Sequence, residues 1–171
     1  SIKSSGVPGT VAGLIHAQEN YGLLSLKQVM QPAINLAQNG FAVNADLSDS
    51  LQSIGLRLQK DSASKGYFYK ADGEFYQRGE TLVQKDLSKS LMSIASVGRE
   101  GFYQGKTADL IVAQMKRSGG LITHQDLRNY RAVEREPVCG QYRETKVCTM
   151  PPPSSGGVHM LQMLNILEGW D

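Results

Sequence analysis

Apolar residues recur at intervals of three and four along most of this chain, which is the spacing of helices with one buried face. The first such run follows the small-residue stretch 5–13, whose glycines allow close packing of the backbone. The second begins at a capping box formed by Ser25 and Gln28 and is stopped by Gly40. Pro32 lies inside this second helix, and we expect a kink there because proline removes a backbone donor.

Four further helices are each predicted from a capping residue ahead of an apolar-periodic run. The predicted caps are Asn44, Asp86, Thr107 and Thr123. In the first of these helices, the residues expected to face the core are Leu47, Leu51, Ile54 and Leu58. The stretch 62–66 consists mostly of small and polar residues and is predicted to be a loop.

Two segments show the pattern of β-hairpins. Residues 67–76 contain Asp72–Gly73, a pair suited to a type I′ turn, together with aromatic residues that are expected to pack across the strands. Residues 137–149 show the alternating pattern of paired strands and are the second candidate hairpin. Its turn would be centred on Arg143–Glu144. With about seven helices against two hairpins, we predict a mainly α fold with short β-hairpins, built as a single domain over residues 1–171.

The two cysteines, Cys139 and Cys148, both lie in the second candidate hairpin. A turn centred on Arg143–Glu144 would place them directly opposite each other, at roughly 4.5–5.5 Å between Cα atoms, which is within disulfide reach. Two interpretations stay open, a disulfide and a pair of ordinary strand thiols. The thiols are slightly favoured, because a tight two-residue turn requires positive φ angles that neither arginine nor glutamate readily supplies.

The stretch from Met150 to His159 is predicted to be an extended segment that leads into a helix. Its three prolines cannot donate to a strand ladder, and Ser154 is placed to cap the apolar run that follows. Replacing Ser154 by alanine is therefore expected to cost about 1 kcal/mol of stability. The residues of this last helix that are expected to face the core are Val158, Leu161, Leu164 and Leu167.

Charge and hydropathy exclude several classes of function. Eighteen Lys and Arg against sixteen Asp and Glu give a net charge of +2, with both signs interleaved along the chain. Neither a nucleic acid nor an anionic membrane is therefore expected as a partner. The longest mostly apolar run, 158–167, is too short to span a hydrocarbon core of about 30 Å. The chain begins at Ser1 without a methionine or a signal peptide, and we expect it to be a piece of a longer protein.

The residue types that could carry chemistry do not assemble into a complete site. His16, His124 and His159 show neither the i, i+4 pairing nor the cysteine spacing of a metal site, so no metal is expected. His159 follows Ser155 by four residues, but no nucleophile elbow surrounds the serine and no acid completes a triad. The favoured interpretation is a serine at a helix start and a surface or packing histidine.

Three weaker candidates are better explained by structure than by catalysis. The stretch 154–157 lacks the lysine of a phosphate-binding loop, and the charges of Glu134, Arg135 and Glu136 are expected to be solvated. Ser1 could act as an N-terminal nucleophile with its own amine, yet a cleavage boundary accounts for it better. The sequence therefore assigns no catalytic, cofactor-binding or metal-binding residue.

Three segments, taken in order, resemble the γ-glutamyltransferase (γ-glutamyl transpeptidase) family. They are Ser5-Gly-Val-Pro-Gly-Thr-Val-Ala-Gly13, then Gly119-Gly-Leu-Ile-Thr123 with Asp126-Leu127 and Tyr130, and then Met150-Pro-Pro-Pro-Ser-Ser-Gly-Gly157 ahead of Leu164-Asn-Ile-Leu-Glu168. Between them lie Thr81-Leu-Val-Gln84 and Phe102-Tyr103. Each segment alone is a weak signal, but the ordered set covers nearly the whole chain.

The resemblance implies an N-terminal-nucleophile hydrolase, with a four-layer α/β sandwich of helices around two sheets. It also implies a precursor that cleaves itself into a large and a small subunit. In this family a threonine freed at the start of the small subunit attacks the γ-glutamyl amide of glutathione or a similar compound, and the acyl group passes to water or an amino acid. No metal or organic cofactor is implied, and the implied location is periplasmic or extracellular.

The chain resembles an internal part of the large subunit. In the family, the threonine nucleophile, the glycine pair for the oxyanion and most of the γ-glutamyl pocket belong to the small subunit, and the arginine that holds the substrate carboxylate lies upstream of Ser1. None of these can be placed on this chain, which alone is expected to be inactive. Its implied partners are the small subunit and the rest of the large subunit. The alternative is a helical scaffold or protein-interaction module without catalysis that shares the motifs.

Overall fold

The computed structural model describes residues 2–170, which divide into two compact units, one up to Arg131 and one from Ala132 onward. Most of these residues are helical, and the strands form two antiparallel pairs. The predicted mainly α fold with short antiparallel strand pairs is therefore confirmed. Within the described part of the chain, no helix combines the length and the apolar character needed to cross a membrane.

The first unit contains a short 3-10 turn at Ile2–Ser4, eight described helices and two short strands. The helices are α1 (Thr10–Tyr21), α2 (Leu26–Asn39), α3 (Ala45–Leu58), α4 (Ser62–Phe68), α5 (Lys85–Val97), α6 (Glu100–Tyr103), α7 (Gly105–Ser118) and α8 (His124–Asn129). The strands are β1 (Phe41–Ala42) and β2 (Thr81–Leu82). The second unit consists of β3 (Val138–Tyr142), β4 (Thr145–Thr149) and α9 (Ser155–Leu167).

Local capping sets several helix starts as predicted. Ser25 and Gln28 form the capping box of α2, and Thr123 caps α8 in the same manner. The side chain of Asn44 accepts a hydrogen bond of 2.9 Å from the backbone N–H of Leu47 in the first turn of α3. Each of these contacts joins residues three positions apart, so the sequence pattern is sufficient to place them.

Asp86 and Thr107 do not cap their helices, which corrects the prediction. The helix α5 begins at Lys85 and α7 begins at Gly105, so each supposed cap lies inside the first turn, and neither helix has a side-chain cap. The carboxylate of Asp86 instead lies 2.9 Å from the ammonium of Lys89. An acidic side chain in the first turn still interacts favourably with the helix dipole, which explains why the pattern resembles a cap.

Residues 62–66 are helical, and the predicted loop is wrong. The carboxylate of Asp61 accepts a hydrogen bond of 2.8 Å from the backbone N–H of Ser64, and α4 follows it. The small residues of this stretch favour a loop, but the capping carboxylate satisfies a free backbone donor and starts a helix.

The first predicted hairpin is reduced to a turn closed by one bridge, between Tyr69 and Phe75. The beginning of that stretch belongs to α4, while Gly73 adopts a φ of +86° in the turn. The rings of Tyr69 and Phe75 lie 4.3 Å apart, which confirms the expected aromatic packing for this pair. Tyr69 also donates a hydrogen bond of 2.6 Å to the carbonyl oxygen of Gly55 in α3.

In the first unit, two short strands from distant parts of the chain pair with each other. The sequence pattern did not indicate this pair. The strands β1 and β2 are antiparallel, with Phe41 opposite Leu82 and Ala42 opposite Thr81. Val43, just after β1, continues the pairing by donating its backbone N–H to the carbonyl oxygen of Glu80 at 2.9 Å. Two-residue strands are too short to show the alternation by which strands are recognised.

The core of the first unit includes the packed pair α2 and α5 and continues through α6 to α7. Its largest fully buried apolar side chains are Tyr103, Leu82, Leu127 and Val43. On α3 the buried residues are Ser48, Leu51 and Gly55, whereas Ile54 is exposed, so only part of the predicted apolar face is correct. The reason is the aromatic ring of Phe75, which lies so close to Gly55 that an added Cβ would overlap it.

In the second unit, β3 and β4 form the predicted hairpin, with Cys139 opposite Cys148 as the proposed turn requires. The two cysteines form a disulfide, so the preference for free thiols is wrong. Arg143 adopts the positive φ, 52°, that was expected to be unfavourable for this residue type. The five-residue strand ladder outweighs the local conformational preference of a single arginine.

The helix α9 packs against this hairpin. Val158, Leu161 and Leu164 are half-buried along the predicted face, but Leu167 is 53% exposed. Ser154 occupies the position before the helix without a side-chain cap hydrogen bond, so its predicted capping role is wrong. Close packing is instead found at Gly157, where an added Cβ would overlap the carbonyl oxygen of Met150.

Candidate functional site

The hydroxyl of Tyr103 binds the backbone at the start of α1. It donates a hydrogen bond of 2.6 Å to the carbonyl oxygen of Pro8 and accepts one of 3.2 Å from the backbone N–H of Ala12. Gly9 precedes α1 and has no side chain with which to cap it. Tyr103, 91 positions away from Ala12, therefore supplies the acceptor that a capping side chain would normally provide.

Arg99 and Tyr130 complete a group around the buried ring of Tyr103 that we call the Tyr103 cluster: Pro8, Ala12, Arg99, Tyr103 and Tyr130. The rings of Tyr103 and Tyr130 are stacked with centroids 5.8 Å apart, and the guanidinium of Arg99 lies 4.9 Å from the centroid of the Tyr103 ring. Arg99 also donates hydrogen bonds to the carbonyl oxygens that follow α8, those of Arg128 and Tyr130. The cluster thus ties the start of α1 and the end of α8 to α6.

Two of the family-like segments meet in this cluster. Gly9 belongs to the first segment and Tyr130 to the second, and an added Cβ at Gly9 would overlap the Tyr130 hydroxyl. Gly6 and Gly13 of the same segment have open space around them. The predicted close packing in the first segment therefore depends on Gly9 alone.

The chemistry available to the Tyr103 cluster is structural. Burial raises the pKa of the Tyr103 phenol above its ordinary value of 10.0, which disfavours the phenolate. Its hydroxyl already has one backbone acceptor and one backbone donor as partners. The cluster positions three backbone segments and offers no activated nucleophile.

The three histidines do not converge on a catalytic or metal site. In α1, the Nδ1 of His16 lies 3.2 Å from the side-chain nitrogen of Asn20. The Nε2 of His124 lies 2.8 Å from a carboxylate oxygen of Asp109 on the surface of the first unit, and His159 is exposed on α9. Among residues 2–170, no group of three or more His, Cys, Asp or Glu side chains is arranged to hold a metal ion.

The third family-like segment forms the turn before α9 and the start of that helix. Ser154 and Ser155 are exposed, and in the described structure no hydrogen bond links either of them to His159. Gly157 is buried, and an added Cβ there would overlap the carbonyl oxygen of Met150 and the side chain of Thr149. Close packing therefore explains why a glycine occupies position 157. Among the described residues, Ser154 and Ser155 have no neighbouring group that could activate them for catalysis.

The remaining sequence candidates occupy solvent-exposed or undescribed positions. Glu134, Arg135 and Glu136 are exposed in the segment that leads into β3. Ser1 lies outside the described residues.

Sequence reasoning assigned no role to Arg99 and Tyr103, the two residues that organise the Tyr103 cluster. Phe102-Tyr103 drew attention only as part of a family-like pattern. A buried tyrosine requires partners for its hydroxyl, but the sequence does not indicate which backbone groups supply them.

Comparisons with known proteins match the chain along its length. The family model described as gamma-glutamyltranspeptidase matches residues 1–171. The glutathione hydrolase proenzyme of Escherichia coli (strain K12) is 50% identical over 169 residues, which are 98% of this chain and 29% of that protein. The acylase ACY 1 proenzyme of Pseudomonas sp. (strain V22) is 42% identical over 169 residues, or 99% of this chain and 30% of that protein.

The fold is also similar to that of a solved structure. The crystal structure of Helicobacter pylori gamma-glutamyltranspeptidase superposes with a TM-score of 0.96 at 46% sequence identity, over 100% of this chain and 49% of that one. The chain spans 29% and 30% of the length of the two curated relatives. Because the family model matches the chain along its whole length, and not at three motifs alone, the chain belongs to the gamma-glutamyltranspeptidase family.

Proposed function

We propose that this chain is a segment of the large subunit of a γ-glutamyltransferase. The observation that carries the proposal is the family match over residues 1–171 together with the TM-score of 0.96 to the Helicobacter pylori structure. The parent enzyme would cleave the γ-glutamyl amide of glutathione or a related compound and transfer the γ-glutamyl group to water or to an amino acid or peptide.

The chemistry would be carried out by residues outside this chain. A threonine at the start of a small subunit would attack the γ-glutamyl carbonyl, its amine would accept the proton, and an oxyanion hole would stabilise the tetrahedral intermediate. The described residues contribute scaffold: the Tyr103 cluster holds α1, α6 and α8, and the second unit holds a hairpin against α9. The small subunit and the rest of the large subunit are the proposed partners, which fits relatives that are named as proenzymes.

A second candidate substrate class comes from the relatives themselves. A protein named acylase is 42% identical over 169 residues, compared with 50% for the glutathione hydrolase. The higher identity supports the γ-glutamyl substrate. An acylase activity would appear as cleavage of anilides that carry a simple acyl group in place of γ-glutamate.

The proposed location is periplasmic or extracellular. The Cys139–Cys148 disulfide supports it, because disulfides persist in oxidising compartments and are rare where glutathione and thioredoxin keep thiols reduced.

A chimera tests the proposed function. Residues 1–171 replace the matching segment of the Escherichia coli glutathione hydrolase proenzyme, and the purified product is tested with γ-glutamyl anilide and with a simple acyl anilide. We expect cleavage into two subunits and release of the chromophore from the γ-glutamyl anilide only. The control is the same chimera with the relative's threonine nucleophile replaced by alanine, which should release none. A folded chimera that is neither processed nor active would contradict the proposal.

A further inference from the structure

The disulfide of the second unit lies on the open face of its hairpin. Residues of β3 and β4 alternate between the two faces, and the half-buried face contains Gly140, whose nearest neighbour is the side chain of Leu161 in α9. Cys139 and Cys148 occupy the opposite face and are exposed. A small molecule in solution can therefore reach the sulfur atoms without opening the packing of α9 on the hairpin.

A groove of about 720 Å³ is lined by Cys148, one of the two cysteines of the disulfide. Val133, Arg135 and Pro137 line one part of it, and Cys148 lines it together with the segment 149–154. Cys139 is not among the residues that line the groove. The two ends of the disulfide are thus inequivalent, and a molecule in the groove would meet Cys148 first.

The charge of the groove favours an anion. Among the described residues that line it, Arg135 is the one charged side chain. Glu134 and Glu136 flank Arg135 in the sequence but do not line the groove. Lys146 adds a second positive charge on the exposed face of β4, two residues before Cys148.

Breaking the disulfide is compatible with the folded hairpin. The bridge joins residues only nine positions apart, so the loop that it closes is short and its effect on chain entropy is correspondingly small. The antiparallel ladder continues on both sides of the cysteines, from Val138–Thr149 to Tyr142–Thr145. We therefore expect the reduced form to keep the strand pairing of the oxidised form.

We propose that the Cys139–Cys148 disulfide is a thiol–disulfide exchange site for small thiols that carry a carboxylate. The carboxylate binds near Arg135, and the thiolate attacks the Sγ of Cys148. A bond forms between these sulfurs while the Cys148–Cys139 bond breaks, and Cys139 leaves as a thiolate that takes a proton from water. A second thiolate then attacks the bound thiol's sulfur and releases Cys148, so two small thiols are oxidised to their disulfide and the cysteines are reduced. This site is independent of the proposed enzymatic function, because it uses only residues of this chain.

The position of the first glutathione adduct shows which of the two cysteines is attacked. The folded chain is incubated with reduced glutathione, quenched with acid, alkylated with N-ethylmaleimide and digested with trypsin, which can cut after Arg143 and so separates the two cysteines. We expect glutathione on Cys148, the alkylating group on Cys139 and an unchanged far-ultraviolet circular dichroism spectrum. Adducts mainly on Cys139, or a reaction that begins only when the chain is unfolded in urea, would overturn the proposal.

The role of Arg135 is tested by comparing an anionic and a neutral thiol. Arg135→Gln should slow exchange with glutathione by about threefold at low salt, as the loss of one exposed ionic contact predicts, and should leave exchange with 2-mercaptoethanol nearly unchanged. Added salt should reduce the difference from the wild-type chain. The matched control is Arg143→Gln on the same hairpin outside the groove, which should alter neither rate. Equal rates for the wild-type chain and Arg135→Gln with glutathione, or equal slowing of both thiols, would overturn the assignment of an anionic ligand.

Discussion

The hydroxyl of Tyr103 lies 2.6 Å from the carbonyl oxygen of Pro8, although the two residues are 95 positions apart in the chain. The same hydroxyl accepts a hydrogen bond from the N–H of Ala12, so it satisfies one backbone acceptor and one backbone donor at the start of α1. Gly9, the residue before α1, has no side chain that could make these hydrogen bonds in place of Tyr103.

Tyr103→Phe should therefore destabilise the chain while retaining the stacked ring. The substitution leaves the Pro8 carbonyl and the Ala12 N–H without their partner, and the loss at Ala12, which is buried, costs about 1–3 kcal/mol. Urea unfolding of the two proteins measures the difference. Tyr21→Phe, at a residue that is 75% exposed, is the control and should change the unfolding free energy little. Equal stability of Tyr103→Phe and the wild-type chain would show that the hydroxyl has no capping role.

Two neighbouring glycines in the first turn of α9 should respond differently to alanine. Gly157→Ala places a methyl group against the carbonyl oxygen of Met150, and such overpacking costs about 1–3 kcal/mol. Gly156→Ala meets only the Ser154 hydroxyl at 3.8 Å and should be neutral or slightly stabilising. Thermal unfolding of both variants makes the comparison, and a similar loss of stability in the two would argue against close packing at Gly157.

The side chain of Ser154 should be dispensable for stability, whereas the cap of α3 in the first unit should not. Asn44→Ala removes a side-chain acceptor 2.9 Å from the N–H of Leu47 and should cost about 1 kcal/mol. Ser154→Ala removes no cap hydrogen bond and should change stability by less than about 0.5 kcal/mol. Denaturant titration of the two variants decides the question, and a larger loss for Ser154→Ala would restore its capping role.

Stability in acid should depend on Glu80. The backbone N–H of Gln77 and then the ammonium of Lys70 hold the pKa of Glu80 below its ordinary 4.5. Its contribution to stability is therefore complete above about pH 4.5 and is lost as the pH falls through the lower pKa of the folded state.

Glu80→Gln should accordingly make the unfolding free energy less dependent on pH in the acid range. Unfolding curves measured at a series of pH values below 6 provide the test. Glu74→Gln, at an exposed residue six positions earlier in the chain, serves as the control. A pH dependence identical in the wild-type chain and Glu80→Gln would contradict the assigned role.

Features fixed by contacts within a few residues could be predicted from the sequence. The capping boxes at Ser25 and Thr123 and the cap at Asn44 join side chains to the backbone three positions away. The hairpin register that opposes Cys139 and Cys148 follows from its short turn. The disulfide itself was not preferred, because Arg143 was judged by its residue type rather than by the ladder that holds it.

Features that depend on distant partners could not be predicted. The pairing of Phe41 with Leu82 leaves no periodic signal in two-residue strands. The burial of Gly55 rather than Ile54 depends on the position of Phe75. The backbone partners of the Tyr103 hydroxyl, the carbonyl of Pro8 and the N–H of Ala12, lie 95 and 91 positions away along the chain. The absence of an assigned catalytic residue stays a prediction, which an activity measurement has to test.

Incubation of the purified 171-residue chain with a γ-glutamyl anilide tests the central claim most directly. The chain is proposed to supply scaffold to a γ-glutamyltransferase while the nucleophile lies elsewhere, so release of the chromophore should equal that of a blank without protein. Addition of glycylglycine as an acceptor should not change this result. Release above the blank that increases in proportion to chain concentration would contradict the claim, because the nucleophile would then lie within these 171 residues.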